Sequence, residues 1–122
     1  MTATLVKGVS GLNWGLSLTN NTPVTVDIDV LLYLESTASG STMQMGSFLV
    51  SPFAIGTSAN LTGSATAAQL LPLPLGDWYF HITIKKKGTS TVVLDTKITS
   101  NYATITDPTW NITIGTLTLT PI

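Results

Sequence analysis

The sequence predicts an all-β protein, a single antiparallel β-sandwich domain over residues 1–122 built from seven to nine short strands. Three observations predict it. Apolar and polar residues alternate with a period of two nearly everywhere, which sends successive side chains to opposite faces of a strand. Turn residues recur about every 8–12 positions, the spacing of sandwich strands. Between the strands only residues 65–71 read as helical, and one turn is too short to be a stable helix alone. A closed single-sheet barrel is the alternative with the same pattern.

The elements follow in order. Residues 4–9 could form a further edge strand. Trp14, Leu16 and Leu18 alternate with Gly15 and Ser17, and Asn20-Asn21-Thr22-Pro23 turns the chain. The clearest strand spans residues 24–34. Val24, Val26, Ile28, Val30, Leu32 and Leu34 share one face, a core face; Thr25, Asp27, Asp29, Leu31 and Tyr33 share the other. Residues 35–42 are a small, polar loop. A strand over 43–51 stops at Pro52, and a short one covers 59–62.

Pro72 and Pro74 force extended backbone. Gly76-Asp77 then turns into a strand with Trp78, Phe80, Ile82 and Ile84 on one face and Tyr79, His81, Thr83 and Lys85 on the other. Lys86-Lys87-Gly88-Thr89 reads as a hairpin turn into a strand over 91–99, followed by a short strand over 101–106 and a turn at Asp107-Pro108. A last strand begins with Trp110, Ile112 and Ile114 on one parity and ends with Leu117 and Leu119 on the other. A one-residue bulge at Gly115-Thr116 would keep all five facing the core.

Charge is the anomaly in the composition. Five Lys, no Arg and six acidic residues make 9% of the chain, where about 25% is usual. Thr supplies 22 positions and Ser 11, and mean hydropathy is +0.39. A folded monomer of this mass exposes roughly 6,300 Å². Its charges are then spread at about one per 570 Å². Hydroxyls hydrate such a surface but supply no long-range repulsion. The apolar, charge-poor composition argues against disorder and coiled coils. A net charge of -1 without Arg argues against general nucleic-acid binding, and the lack of Cys excludes disulfide stapling. No run of 18 apolar residues exists to span a membrane. The opening residues lack a basic region followed by an apolar stretch, so no signal peptide is expected.

No motif names a chemistry. The single His81 sits mid-strand, and no G-x-S-x-G elbow occurs. One His without Cys cannot build a zinc site. Asp27 and Asp29 lie about 7 Å apart on one strand face. That pair could serve a glycosidic bond or Ca²⁺, but a solvated strand face explains it as well. Lys85-Lys86-Lys87 could contact phosphate or nucleic acid, but without Arg or stacking aromatics nearby it reads as a solubilising hairpin tip, and no phosphate-binding Gly loop occurs. No cofactor or metal is therefore expected. Tyr33, Tyr79 and Tyr102, with Trp14 if it faces outward, are candidates for a sugar platform. Trp78 and Trp110 take core parity. Asn20, Asn60 and Asn111 satisfy the glycosylation sequon, which Thr-rich chains generate by chance.

Residues 16–34 (LSLTNNTPVTVDIDVLLYL) resemble the opening hairpin of immunoglobulin-like and fibronectin-like accessory domains. Residues 73–84 (LPLGDWYFHITI) resemble the entry to their late strands. Together these cover about a quarter of the chain. Without a Cys pair the resemblance is not to antibody-type domains. It implies an immunoglobulin-like or jelly-roll-like sandwich and no activity. Such sandwiches occur in phage and viral particles, pilus subunits, adhesins and carbohydrate-binding modules.

The resulting expectation is a non-enzymatic structural subunit of a larger particle: a capsid, cement or tail component, or a filament. It would associate with itself or other particle subunits, within a virion or an assembled extracellular particle. Leu31, Tyr33, Tyr79, Leu117 and Leu119 are the expected interface residues, and residues 116–122 an arm that adds to a partner's sheet. The alternative is an adhesin or carbohydrate-binding domain with a glycan partner.

Overall fold

The computed structural model describes residues 2–110, 112, 113 and 115–121. The strands are β1 (Thr2–Val6), β2 (Leu12–Thr19), β3 (Val26–Ser36), β4 (Thr42–Phe53), β5 (Ser58–Ala65), β6 (Gly76–Lys86) and β7 (Val92–Thr106). One helical turn, α1 (Ala67–Leu70), separates β5 from β6. Thr66 and Gln69 cap it reciprocally, each side chain bonding the other's backbone. Five strands form one sheet in the order β1-β7-β6-β3-β4, and β2 and β5 form a second.

The fold is all-β, as the period of two implies. The main sheet is mixed, however, which corrects the antiparallel expectation. β1 runs parallel to β7, with Thr2 opposite Tyr102 and Val6 opposite Thr106. Parallel neighbours cannot be joined by a tight turn. Here the two partners are the first and last strands, so nearly the whole chain serves as the connection.

β3 is an interior strand, between β6 and β4. Its even positions Ile28, Val30, Leu32 and Leu34 are all buried. Val24, expected on that face, precedes the strand and is exposed. The core has two clusters. One gathers Leu5, Leu34, Leu70, Trp78 and Ile105; the other gathers Val30, Leu32, Phe53, Leu61, Ile82 and Ile84. The second sheet covers them with Leu12, Trp14, Leu16 and Leu18 from β2, which are only half-buried because that layer is two strands wide.

Several boundaries differ from the sequence reading: the first strand covers Thr2–Val6 rather than 4–9, and β3 and β5 run on to Ser36 and Ala65. β4 continues through Pro52 to Phe53. It is an edge strand, and its register shifts between the pairs Val26–Phe53 and Ile28–Val50. A proline without an N–H fits such a bulged edge. The two strands expected over 91–99 and 101–106 are one, β7. Its register jumps from Ile98, opposite Phe80, to Tyr102, opposite Tyr79, so residues 99–101 bow out without ending it.

The expected last strand with a bulge at Gly115-Thr116 is absent among the described residues. Ile114 lies outside them. Trp110 is 81% exposed rather than buried in a core. The edge of β7 at the end where this segment departs is already taken by β1, so the described residues of the segment have no neighbour on that sheet.

Two side chains fix the second layer. Asn20 is buried in the turn after β2. Its Nδ2 donates to the carbonyls of Phe53 at 2.8 Å and Val24 at 3.2 Å, and its Oδ1 accepts from Thr22 N at 2.9 Å. This sequon amide is thus wholly engaged; that of Asn60 is exposed, and Asn111 lies outside the described residues. Trp14 lies over Gly63, its cross-strand partner on β5. A Cβ at Gly63 would stand 2.5 Å from the indole. Gly63→Ala is therefore expected to lower stability by about 1–3 kcal/mol, the usual range for overpacking. Urea denaturation measures it, and a midpoint equal to the parent's would contradict the packing described.

Candidate interaction surface

The odd positions of β3 and β6 project from the face of the main sheet that β2 and β5 leave open. Register sets their neighbours. Leu31 lies opposite Thr83, which faces Asp95; Tyr33 lies opposite His81, which faces Lys97; Glu35 lies opposite Tyr79, which faces Tyr102. Directly opposed side chains in an antiparallel pair share a face at about 5 Å.

An ion network occupies the middle of this face. Lys97 Nζ pairs with Glu35 Oε2. His81 Nδ1 lies 3.4 Å from Glu35 Oε1, and its Nε2 contacts Asp95 Oδ1. A neutral imidazole can donate to only one of these carboxylates at a time. Thr83 Oγ1 donates to the same Asp95 oxygen at 3.1 Å. The hydroxyl is thus aimed at the carboxylate and not at the ring.

The hydrogen bond from Lys97 holds the Glu35 carboxyl below its ordinary value of 4.5, aided by His81 and opposed by desolvation. His81 does the same for Asp95, below 3.8, again against desolvation and with help from Thr83. Both groups bind fewer protons folded than unfolded across the acid range. Their stabilisation is complete above the unfolded values and is lost as pH falls through the folded ones. Stability from urea denaturation should stay level down to about pH 5 and fall below it, with a shallower fall in Glu35→Gln. An identical fall in that variant would contradict this role for Glu35.

The sheet brings the three expected aromatics to one face. Tyr79 and Tyr102 pack edge to face, with centroids 5.4 Å apart and planes at 80°. Tyr33 sits diagonally from Tyr79 across β3 and β6. Leu31, Tyr33 and Tyr79 are half-buried and interleaved with the ions, so the face is mixed rather than apolar. Trp14 points inward, against Phe48 and Phe80, and so leaves the platform candidates.

Asp27 and Asp29 have separate partners. Asp27 accepts from Ser51 Oγ at 2.7 Å, and Asp29 from the Gly88 amide at 3.1 Å. The latter ties β3 to the lysine-bearing hairpin between β6 and β7, where Lys86 N donates to Thr91 O at 3.0 Å. Among the described residues no group of three or more His, Cys, Asp or Glu is placed to hold a metal ion, and no helix is long and apolar enough to cross a membrane.

Leu117 and Leu119 lie apart from this face, on the segment after β7. There Trp110, Ile112, Leu117 and Leu119 are 77–82% exposed. Val92, Val93 and Leu94, at the start of β7, are about half exposed. Among the described residues Val9, Leu49, Ile55 and Leu71 are exposed as well, but singly along the loops and the β4 edge.

The ion network was hidden in the sequence. Glu35, His81, Asp95 and Lys97 come from three strands, and only the register of β3, β6 and β7 joins them. The one local signal was the shared parity of Asp95 and Lys97. No family model matches the chain, and no curated protein matches it either, so the reading of function rests on these surfaces.

Proposed function

We propose that the protein is a non-enzymatic structural subunit that works by assembling, with its own copies or with other subunits of a larger particle such as a virion component or a filament. The carrying observation is the segment after β7, whose Trp110, Ile112, Leu117 and Leu119 are almost fully exposed. A monomer gains nothing by holding four large apolar side chains in water. The accessible area agrees: the chain exposes 7953 Å². That is about a quarter more than the roughly 6,300 Å² of a compact monomer of its mass. Sparse charge removes the repulsion that would oppose association.

An immunoglobulin-like sandwich fits the topology best. In that fold strands G, F, C and C′ are neighbours in one sheet, and B and E pair in the other. The order β7-β6-β3-β4 and the pair β2-β5 match those positions, with β1 added beside β7. Direct contact with nucleic acid is no part of this reading, because the basic side chains are few and dispersed apart from the hairpin. The working place would be a virion or an assembled extracellular particle.

Electron microscopy of the purified protein tests the proposal. Regular particles or filaments are expected; a field without any assembly at high concentration would overturn it. A second reading, glycan binding, is favoured by Tyr33, Tyr79 and Tyr102 on one face. A glycan array decides it, with Tyr33→Ala and Tyr79→Ala expected to abolish any hit.

A further inference from the structure

β2 pairs with β5 alone among the described residues, so its other edge carries unpaired backbone donors and acceptors. Edge strands are usually protected by Lys, Pro or brevity. β2 (LNWGLSLT) has no charge and no proline over its 8 residues. Beside this edge runs a groove of about 520 Å³ between the two sheets, lined chiefly by Leu12, Trp14, Leu16, Phe80 and Ile98. Farther along β7, Leu94 is 46% exposed although its neighbour in register, Ile84, belongs to the core. The second layer ends one strand short of covering β7.

Residues 109–119 have the composition such a strand needs. Apolar side chains recur at every second position on each side of Gly115-Thr116, hydroxyls hold most of the other face, and no residue is charged. Gly115 stands where the parity changes, so a bulge there would bring both halves of the segment to the same side. Extended, eleven residues span about 36 Å, enough for the whole of β2 at about 26 Å. The segment's own groove is awkward to reach. Lys7 N donates to Thr106 O at 2.9 Å, and residues 7–11 then cross from β1 to β2 at the pole where the segment leaves. In its own chain the segment buries none of its described apolar side chains.

We infer that residues 109–119 of one copy add as a strand to the free edge of β2 in a second copy and lay their apolar side chains into its groove. The main-chain ladder would provide affinity, and the alternate side chains the register. The contact is heterologous, with donor and acceptor on different surfaces, so repetition gives rings or open filaments. The inference rests on the assembly reading and names its contact.

Disulfide trapping in the full chain tests it, because the parent has no cysteine. Ser17 on β2 and Thr113, Thr116 and Thr118 on the segment share the polar parity of their elements. Ser17→Cys is combined in turn with Thr113→Cys, Thr116→Cys and Thr118→Cys, and the proteins are oxidised and run without reductant. Dimers and higher multimers in at least one pairing are expected. Mixed single variants should give a heterodimer in the same pairing. Monomers linked within one chain would overturn the inference, since the segment would then cover its own groove. Absence of any link would overturn it as well. Light scattering separates the two levels. Oligomers that form without links leave the assembly reading standing and remove this contact; a protein that stays monomeric removes both.

Discussion

Trp78→Ala is expected to lower the stability of the fold by about 3–5 kcal/mol, the range for deleting a fully buried large aromatic. Trp78 is 1% exposed and packs with Leu5, Leu34, Leu70, Ala103 and Ile105, so it joins β1, β3, α1, β6 and β7 around one side chain. Its Nε1 donates to the Pro74 carbonyl at 3.1 Å, which pins the proline-rich approach to β6. Truncation loses the burial, leaves a cavity and strands that carbonyl. On this chain length the loss should move Tm down by about 10 °C or more. Trp78→Phe keeps most of the apolar volume and should cost less, chiefly the hydrogen bond and the second ring. Thermal unfolding followed by circular dichroism measures both, and a Tm unchanged in Trp78→Ala would contradict the core described.

The second large effect falls on association and spares the fold. Replacing Trp110, Ile112, Leu117 and Leu119 together by serine removes four apolar side chains that support none of the seven strands. Folding stability of the subunit should stay within about 0.5 kcal/mol of the parent, as for other exposed positions. Full burial of each such side chain at a contact is worth about 1.5–3 kcal/mol. Even partial burial of all four then predicts association weakened by more than about 100-fold. Dilution followed by light scattering reads that shift. Assembly equal to the parent's would show that these residues lie outside the contacts.

The elements that were legible in the sequence are those whose pattern is local. β3 announces itself because Ile28, Val30, Leu32 and Leu34 fall at every second position. The hairpin between β6 and β7 does so because Lys86-Lys87-Gly88-Thr89 interrupts two alternating runs. Trp78 reads as core from the same parity. Pairing is not local. Nothing in residues 2–6 says that they lie parallel to β7, a partner at the far end of the chain. The bowed residues 99–101 look like a strand break, because a bulge interrupts the alternation just as a turn does. Residues 110–119 carry strand alternation, yet none of the described ones lies in a strand, since alternation records what a segment can bury and not whether its own chain supplies the partner. The interface residues divide for the same reason: Leu31, Tyr33 and Tyr79 meet through the register of β3 and β6, while Leu117 and Leu119 sit on a segment with no register.

The central claim is that a subunit with so few charges and an unpaired apolar segment associates. Sedimentation velocity across a wide range of protein concentration tests it most directly. The account predicts a mass that rises well above the 12.9 kDa of one chain as concentration increases, and that returns to one chain in the four-serine variant. A single species at 12.9 kDa throughout the range would contradict it.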